Sequence, residues 1–300
     1  YTAIVLSSMA VGQYLLGLAE TNPLYPFILV SLLVGCAIVP VSLTRSLAPV
    51  PVPATRFSFS KLYRRSHTAF AGGLGSGVIT GSFWALGAIY VLAQTNDPSF
   101  VPAFIAANII GGALAQYPIG MASDRIDRRF VLSALCAASG LSAFGLLYAE
   151  TQQELLLGAF AFGAAANSLY AISLAKAADN SKRDEFVTLG SSVLLLCALG
   201  SAGGSLIIGW AMRLMGNEAL FGLLGCASVA TGIFIAFQPP GKTSVGIDDQ
   251  SAFIASTSAM APAAFEQDPR SGDEPESTVE PTSEQEYDPS VELILTEATT

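Results

Sequence analysis

Eight stretches of this 300-residue chain contain no Asp, Glu, Lys or Arg: 1–19, 24–43, 67–93, 101–122, 130–149, 155–175, 186–212 and 219–237. As helices, runs of roughly 20 apolar residues cross about 30 Å of hydrocarbon, and a helix satisfies its own backbone hydrogen bonds where water is absent. The soluble alternative, a set of buried core helices, needs polar amphipathic helices around them, and the sequence offers none. The expected fold class is therefore an all-α membrane protein with eight transmembrane helices. Cys36, Cys136, Cys197 and Cys226 all fall inside these stretches without metal-ligand spacing. They read as small packing residues that carry no information about redox compartment.

Charge divides the chain unevenly. Residues 1–237 hold twelve basic and ten acidic side chains, whereas 238–300 hold two basic and thirteen acidic, so the formal charge of −9 belongs to the tail. That tail opens on QPPGK and is rich in Ser, Thr, Pro and Glu, a composition too polar to build a core. It is expected to be disordered. Within 1–237, Arg45, Arg56, Lys61, Arg64 and Arg65 share the connection 44–66. Arg125, Arg128 and Arg129 share 123–129, and Lys176, Lys182 and Arg183 share 176–185. The intervening connections ETNP, QTNDPS, ETQQE and MGNEA have no Lys or Arg, and Arg213 alone breaks the alternation. Basic loops stay in the cytoplasm, which also places the start of the first span and the tail there.

GMASDRIDRR (120–129) sets five charged side chains in six positions between two apolar spans. A connection this short cannot form a domain, so its charges must act on neighbouring helix ends. Asp124 suits a helix N-terminus, where the dipole favours an anion. Arg128 and Arg129 suit carboxylates or lipid phosphates, and Gly120 permits close helix approach. A purely topological role accounts for the arginines but not for Asp124 or Gly120.

This stretch resembles the cytoplasmic signature of major facilitator superfamily transporters, Gly-x-Leu-Ala-Asp-Arg-x-Gly-Arg-Arg/Lys. Gly120, Asp124, Arg125, Arg128 and Arg129 match in register; Ala122, Ser123 and Asp127 replace the Leu, the Ala and the second Gly. The last exchange asks Asp127 to do the work of a turn glycine, tolerating a left-handed backbone. In that family the signature follows the second span of each six-span half. The resemblance thus implies that 1–43 are the last two transmembrane helices of the N-terminal half, 44–66 the cytoplasmic link between halves, and 67–237 a complete six-helix C-terminal half. The tail 238–300 follows, and four spans are missing upstream: the chain is N-terminally truncated. AQYPIGMASDR together with NSLYAISLAKAADN and EFVTLGSSVLLLCALGSAGG is similar to the YcaD-like bacterial branch. That branch carries Leu-Tyr-Pro where this chain has Leu169-Tyr170-Ala171, so the proline kink expected there is lost.

Inside the membrane, Gly73, Gly77 and Gly81 recur every four residues, and Gly200, Gly204 and Ser205 form a second small-residue group. Both read as faces for close helix packing. Ionisable residues at mid-membrane would be functional candidates, but none occurs; a carboxylate for proton coupling would lie in the missing segment. The polar mid-span candidates are Gln13 with Tyr14, Trp84, Asn108, and Asn167 with Tyr170, the last two sharing a helix face by their spacing. By resemblance, helices carrying Trp84, Asn108 and Asn167 line a central cavity.

The chain lacks a His-Glu-x-x-His pair, paired intramembrane Asp residues, and an intramembrane His to partner Ser76, so an enzyme is not expected. Metal and cofactor are expected to be absent. The reading implied is a monomeric secondary transporter of the bacterial inner membrane, moving a small molecule by alternating access, with a coupling proton as a candidate co-substrate. Its partners are that substrate and the bilayer, not nucleic acid. A transporter-like sensor or scaffold that docks a partner through the acidic tail is the alternative.

Overall fold

The computed structural model describes residues 2–17, 24–43, 57–179 and 186–238, all of it helices and short turns. The tail and the 44–56 and 180–185 connections lie outside the described residues. Helices α1 (Thr2–Gly17) and α2 (Tyr25–Leu43) precede a short α3 (Phe59–Arg65) within the connection that the sequence presents as a plain loop. Ser66 both ends α3 and starts α4 (His67–Ser76), its hydroxyl accepting from the Ala69 N–H at 3.1 Å. A π-helical turn, Gly77–Gly81, joins α4 to α5 (Ser82–Thr95). Then follow α6 (Val101–Arg125), α7 (Arg128–Leu146), α8 (Gln152–Ala166), α9 (Leu169–Asp179), α10 (Phe186–Met215) and α11 (Ala219–Phe237).

Six helical segments in the described residues are long and apolar enough to span a membrane: His67–Thr95, Pro98–Arg125, Arg128–Leu146, Gln152–Asp179, Val187–Met215 and Ala219–Phe237. These are the six stretches from residue 67 onward. Of the two before them, α1 packs along α6, whereas α2 is exposed over most of its described length.

Turns at one end are set by local chemistry. Asn96 caps α5 in the left-handed region (φ 48°), and Gly216 (φ 96°) turns α10 into α11. Thr151 and Glu154 form a capping box at the start of α8. This end carries Asp97, Glu150, Glu154 and Glu218; the other carries α3, the α6–α7 turn and the end of α9, with most of the basic residues.

Between lipid-facing helices the hydrophobic effect offers little, so association depends on close van der Waals packing. The glycines show how. Gly73, Gly77 and Gly81 face Val193, Cys197 and Ser201, so the four-residue spacing recurs on α10, with the two helices running parallel. A methyl at Gly77 would collide with the Cys197 carbonyl oxygen, and one at Gly200 with that of Leu74. On the other side of the bundle, methyls at Gly111 and Gly163 would strike the carbonyls of Phe160 and Asn108, so α6 and α8 also touch backbone to backbone. An aromatic cluster of Phe83, Tyr90, Phe104, Phe162 and Phe221 fills the space between these pairs.

The span expected over 155–175 is a helix interrupted at Asn167–Ser168, between α8 and α9. The helix is therefore interrupted without a proline, at its contact with the neighbouring helix.

Candidate functional site

The signature stretch is less of a loop than its charge pattern suggests. Helix α6 continues through Asp124 and Arg125, and α7 begins at Arg128, leaving Ile126 and Asp127 as the turn. Asp127 is not left-handed (φ −54°, ψ 121°); it is the N-cap of α7, its carboxylate accepting from the Arg129 N–H at 2.9 Å. The substitution for glycine thus supplies a cap instead of a conformation.

That cap places Arg128 in the first turn of a helix, where the dipole disfavours a cation. Arg128 is nonetheless fully buried, and its surroundings offset both penalties. Its Nη1 donates to the Asp179 carboxylate at 2.7 Å and to the Ala175 carbonyl at 2.9 Å; Nη2 donates to Asp124 at 3.3 Å and Nε to Ser123 Oγ at 3.2 Å. The Asp179 side chain is 2% exposed and that of Asp124 is 41% exposed. A second pair, Lys176 to Asp127 at 3.3 Å, lies beside the first. Burial pushes the Asp127 carboxyl up, but the Arg129 N–H and the Lys176 ammonium outweigh it and hold the group below its ordinary value. Two ion pairs of opposite polarity therefore fasten the last turn of α9 to the α6–α7 turn.

Arg129 extends the network to a fourth helix: its Nη1 donates to the Gln238 carbonyl at the end of α11, and its guanidinium lies 4.8 Å from the Phe130 ring centre. This protein contact replaces the lipid or carboxylate partner that the sequence suggests. Arg125 is exposed on the last turn of α6, and Gly120 is buried one turn earlier. The sequence reading overlooks Asp179, Lys176 and Ser123. The available signal is that Lys176 and Asp179 are three apart at the end of an apolar span, on one face, with charges complementary to Asp127 and Arg128.

At mid-span the structure brings together two of the six polar candidates. Asn167, at the C-cap of α8, donates its amide to both the side-chain and backbone oxygens of Asn108 at 3.2 Å, and Asn108 donates to the Ala159 carbonyl at 3.5 Å. The amide bridge crosses where glycines let α6 and α8 touch, and it sits at the helix break. The break also separates Asn167 from Tyr170: Asn167 turns to α6, while Tyr170 packs with Ala69 of α4 and Val193, Leu196 and Cys197 of α10. Their three-residue spacing thus does not translate into a shared face. The Tyr170 hydroxyl, Ser168 Oγ and Gln116 Nε2 are buried with no hydrogen-bond partner among the described residues. Trp84 is 42% exposed beside Phe83, and Gln13 is half-buried on α1. The Tyr14 side chain lies outside the described residues. Among the described residues no three of His, Cys, Asp and Glu converge as metal ligands.

Six membrane-crossing segments with charge confined to their ends define a multi-pass helical membrane protein. Its family follows from comparison: residues 68–270 match the model of the Major Facilitator Superfamily, to which the chain belongs. The match runs beyond α11 into the acidic tail. An uncharacterised MFS-type transporter YcaD of Escherichia fergusonii is 24% identical over 230 residues, covering 76% of this chain and 59% of that protein. The uncharacterised MFS-type transporter YE1530 of Yersinia enterocolitica is 28% identical over 228 residues, covering 74% and 58%. The chain thus spans just under three-fifths of the length of these curated relatives.

Proposed function

We propose that the protein is a secondary transporter moving a small molecule across a bacterial inner membrane by alternating access, acting as a monomer, with the Arg128 network as the rigid cytoplasmic end of its C-terminal half. In this reading α1 and α2 are the last two helices of the N-terminal half, giving eight spans in all. The basic end, and the tail with it, faces the cytoplasm. The single observation that carries the reading is the fully buried Arg128 shared by α6, α7 and α9.

Rocking one half against the other requires each half to move as a body. The Arg128–Asp179 and Lys176–Asp127 pairs lock three helices of one half together at the end where leverage is greatest. Asp124 and Arg125, the accessible members, are the groups positioned to meet the opposite half. Their differential contact shifts the equilibrium between states. Substrate contact falls to the buried Tyr170 hydroxyl, unpaired among the described residues, because a buried polar group without a partner gains most from a ligand, and to the half-exposed Trp84. Gln13, Asn108 and Asn167 complete the set of candidates, the two amides chiefly by shaping the α8–α9 break.

Two measurements test this. Cysteines at Asn96, Gln152 and Asn217 react with impermeant reagents from outside intact cells, while one at Lys182 does not; the reverse pattern inverts the orientation. In inverted vesicles, Asp124→Asn changes the alkylation rate of a Trp84→Cys reporter about fivefold, as expected for roughly 1 kcal/mol of differential stabilisation. An unchanged rate reduces the charged turn to a topological anchor.

A further inference from the structure

Helix α3 plays no part in the network above, yet it presents an organised surface. Ser58 caps it, the hydroxyl accepting from the Lys61 N–H at 3.3 Å, and the Ser58 N–H in turn donates to Ser192 Oγ of α10 at 3.0 Å. Leu62 is fully buried against α4, α9 and α10, with Phe59 packed beside it, so one face of α3 is pinned to the bundle. On its other side Ser58, Ser60, Lys61, Arg64 and Arg65 line a cleft of about 490 Å³. Only Ser66 separates α3 from the membrane span that starts at His67, which fixes the cleft at the boundary between water and hydrocarbon.

We propose that this cleft binds the phosphate of an anionic lipid. Three basic and two hydroxyl-bearing residues line a volume that suits a small polar headgroup. The flanking groups distinguish a lipid from a free anion. Phe57 is 62% exposed and Tyr63 is 44% exposed, with Tyr63 held edge-on by His67 and Phe70 at 4.4 and 5.3 Å between ring centres. Aromatic surface beside basic residues is the composition of a helix lying in the membrane interface, where rings meet the glycerol and upper acyl region. A soluble phosphate gains nothing from those rings. The carboxylates of the chain itself, in the acidic tail and at Asp184 and Glu185 before α10, would use the cations alone and gain nothing from the aromatics. The inference rests on the chain crossing a membrane, and holds whichever end faces the cytoplasm and whatever is transported.

The test titrates short-chain phosphatidylglycerol and phosphatidylcholine against the purified chain in detergent, counting adducts by native mass spectrometry. Phosphatidylglycerol should bind in preference. Arg64→Gln should weaken it about fivefold, and the Lys61→Gln/Arg64→Gln/Arg65→Gln variant should abolish the preference, each surface cation contributing about one such factor. Arg213→Gln, at the far end of α10, should leave it unchanged. Equal binding of the two lipids, an equal effect of Arg213→Gln, or displacement by millimolar inorganic phosphate would each overturn the proposal. So would a zero-length carbodiimide crosslink from Lys61 to a tail carboxylate that persists when phosphatidylglycerol is saturating, since the tail would then be the occupant.

Discussion

Replacing Arg128 by Met keeps most of the side-chain volume and removes the guanidinium. What remains is the Asp179 carboxylate, 2% exposed and paired with Arg128 at 2.7 Å, together with the Ala175 carbonyl that Arg128 also bonds. Breaking a buried pair from one side costs about 3–5 kcal/mol, because the surviving charge is uncompensated. For a chain of this size that lowers the melting temperature by on the order of 10 °C. Cys136 and Cys197 are buried, at 1% and 3% exposure, so a thiol-reactive dye reports unfolding over the constant signal of the exposed Cys36 and Cys226. Removing both charges, Arg128→Met with Asp179→Leu, should recover most of the loss, since apolar replacement of a buried pair is often close to neutral. Asp124→Asn should cost less than about 1 kcal/mol, its side chain being 41% exposed and screened. A small effect of Arg128→Met, or a double variant whose losses add, would refute the claim that these residues form one coupled unit.

Gly77→Ala should destabilise by about 1–3 kcal/mol in the same assay, because the added methyl meets the Cys197 backbone. Gly203→Ala, with open space at its Cβ, should be neutral or slightly stabilising. Tyr170→Phe should leave melting nearly unchanged, because its hydroxyl has no partner among the described residues; a loss of transport in that variant would assign the hydroxyl to substrate, and unaltered transport would return it to packing. The Asp127 carboxyl titrates below its ordinary 3.8, so its contribution is complete above that value and is lost as pH falls through the lower folded value. Melting should therefore show no dependence on this group above about pH 5, and a shift between pH 6 and 8 that Asp127→Asn removes would contradict the assignment.

The spans were legible because lipid imposes its demand on every residue of a segment, so composition alone marks 67–237 as six helices. The glycine spacing was legible for a similar reason: a stripe at four-residue intervals has one geometric use in an apolar helix. What the sequence did not show was each feature that depends on two distant segments at once. The eleven arginines and lysines of the basic connections look alike as topological charges, yet Arg128 is buried and Arg125 exposed, and the difference is made by Asp179 from α9. Arg129 likewise finds Gln238, 109 residues away.

The α8–α9 break shows the same dependence in apolar surroundings. Proline interrupts a helix from within by removing a donor, and this segment has none to do so. Here Gly111 and Gly163 bring two backbones into contact, and at that depth the Asn167 amide is drawn across to Asn108 at 3.2 Å. The interruption then lies at the contact of the helix pair. One turn beyond it, Tyr170 packs against α4 and α10, which meet through their own glycine stripe. The break thus lies between two backbone-to-backbone contacts, each made of glycines that leave no side chain to interlock. Helices so joined resist separation but offer little resistance to sliding, whereas the ion pairs at the basic end resist both. Motion among these helices is accordingly expected around the break and the π turn, with the Arg128 network as its fixed end.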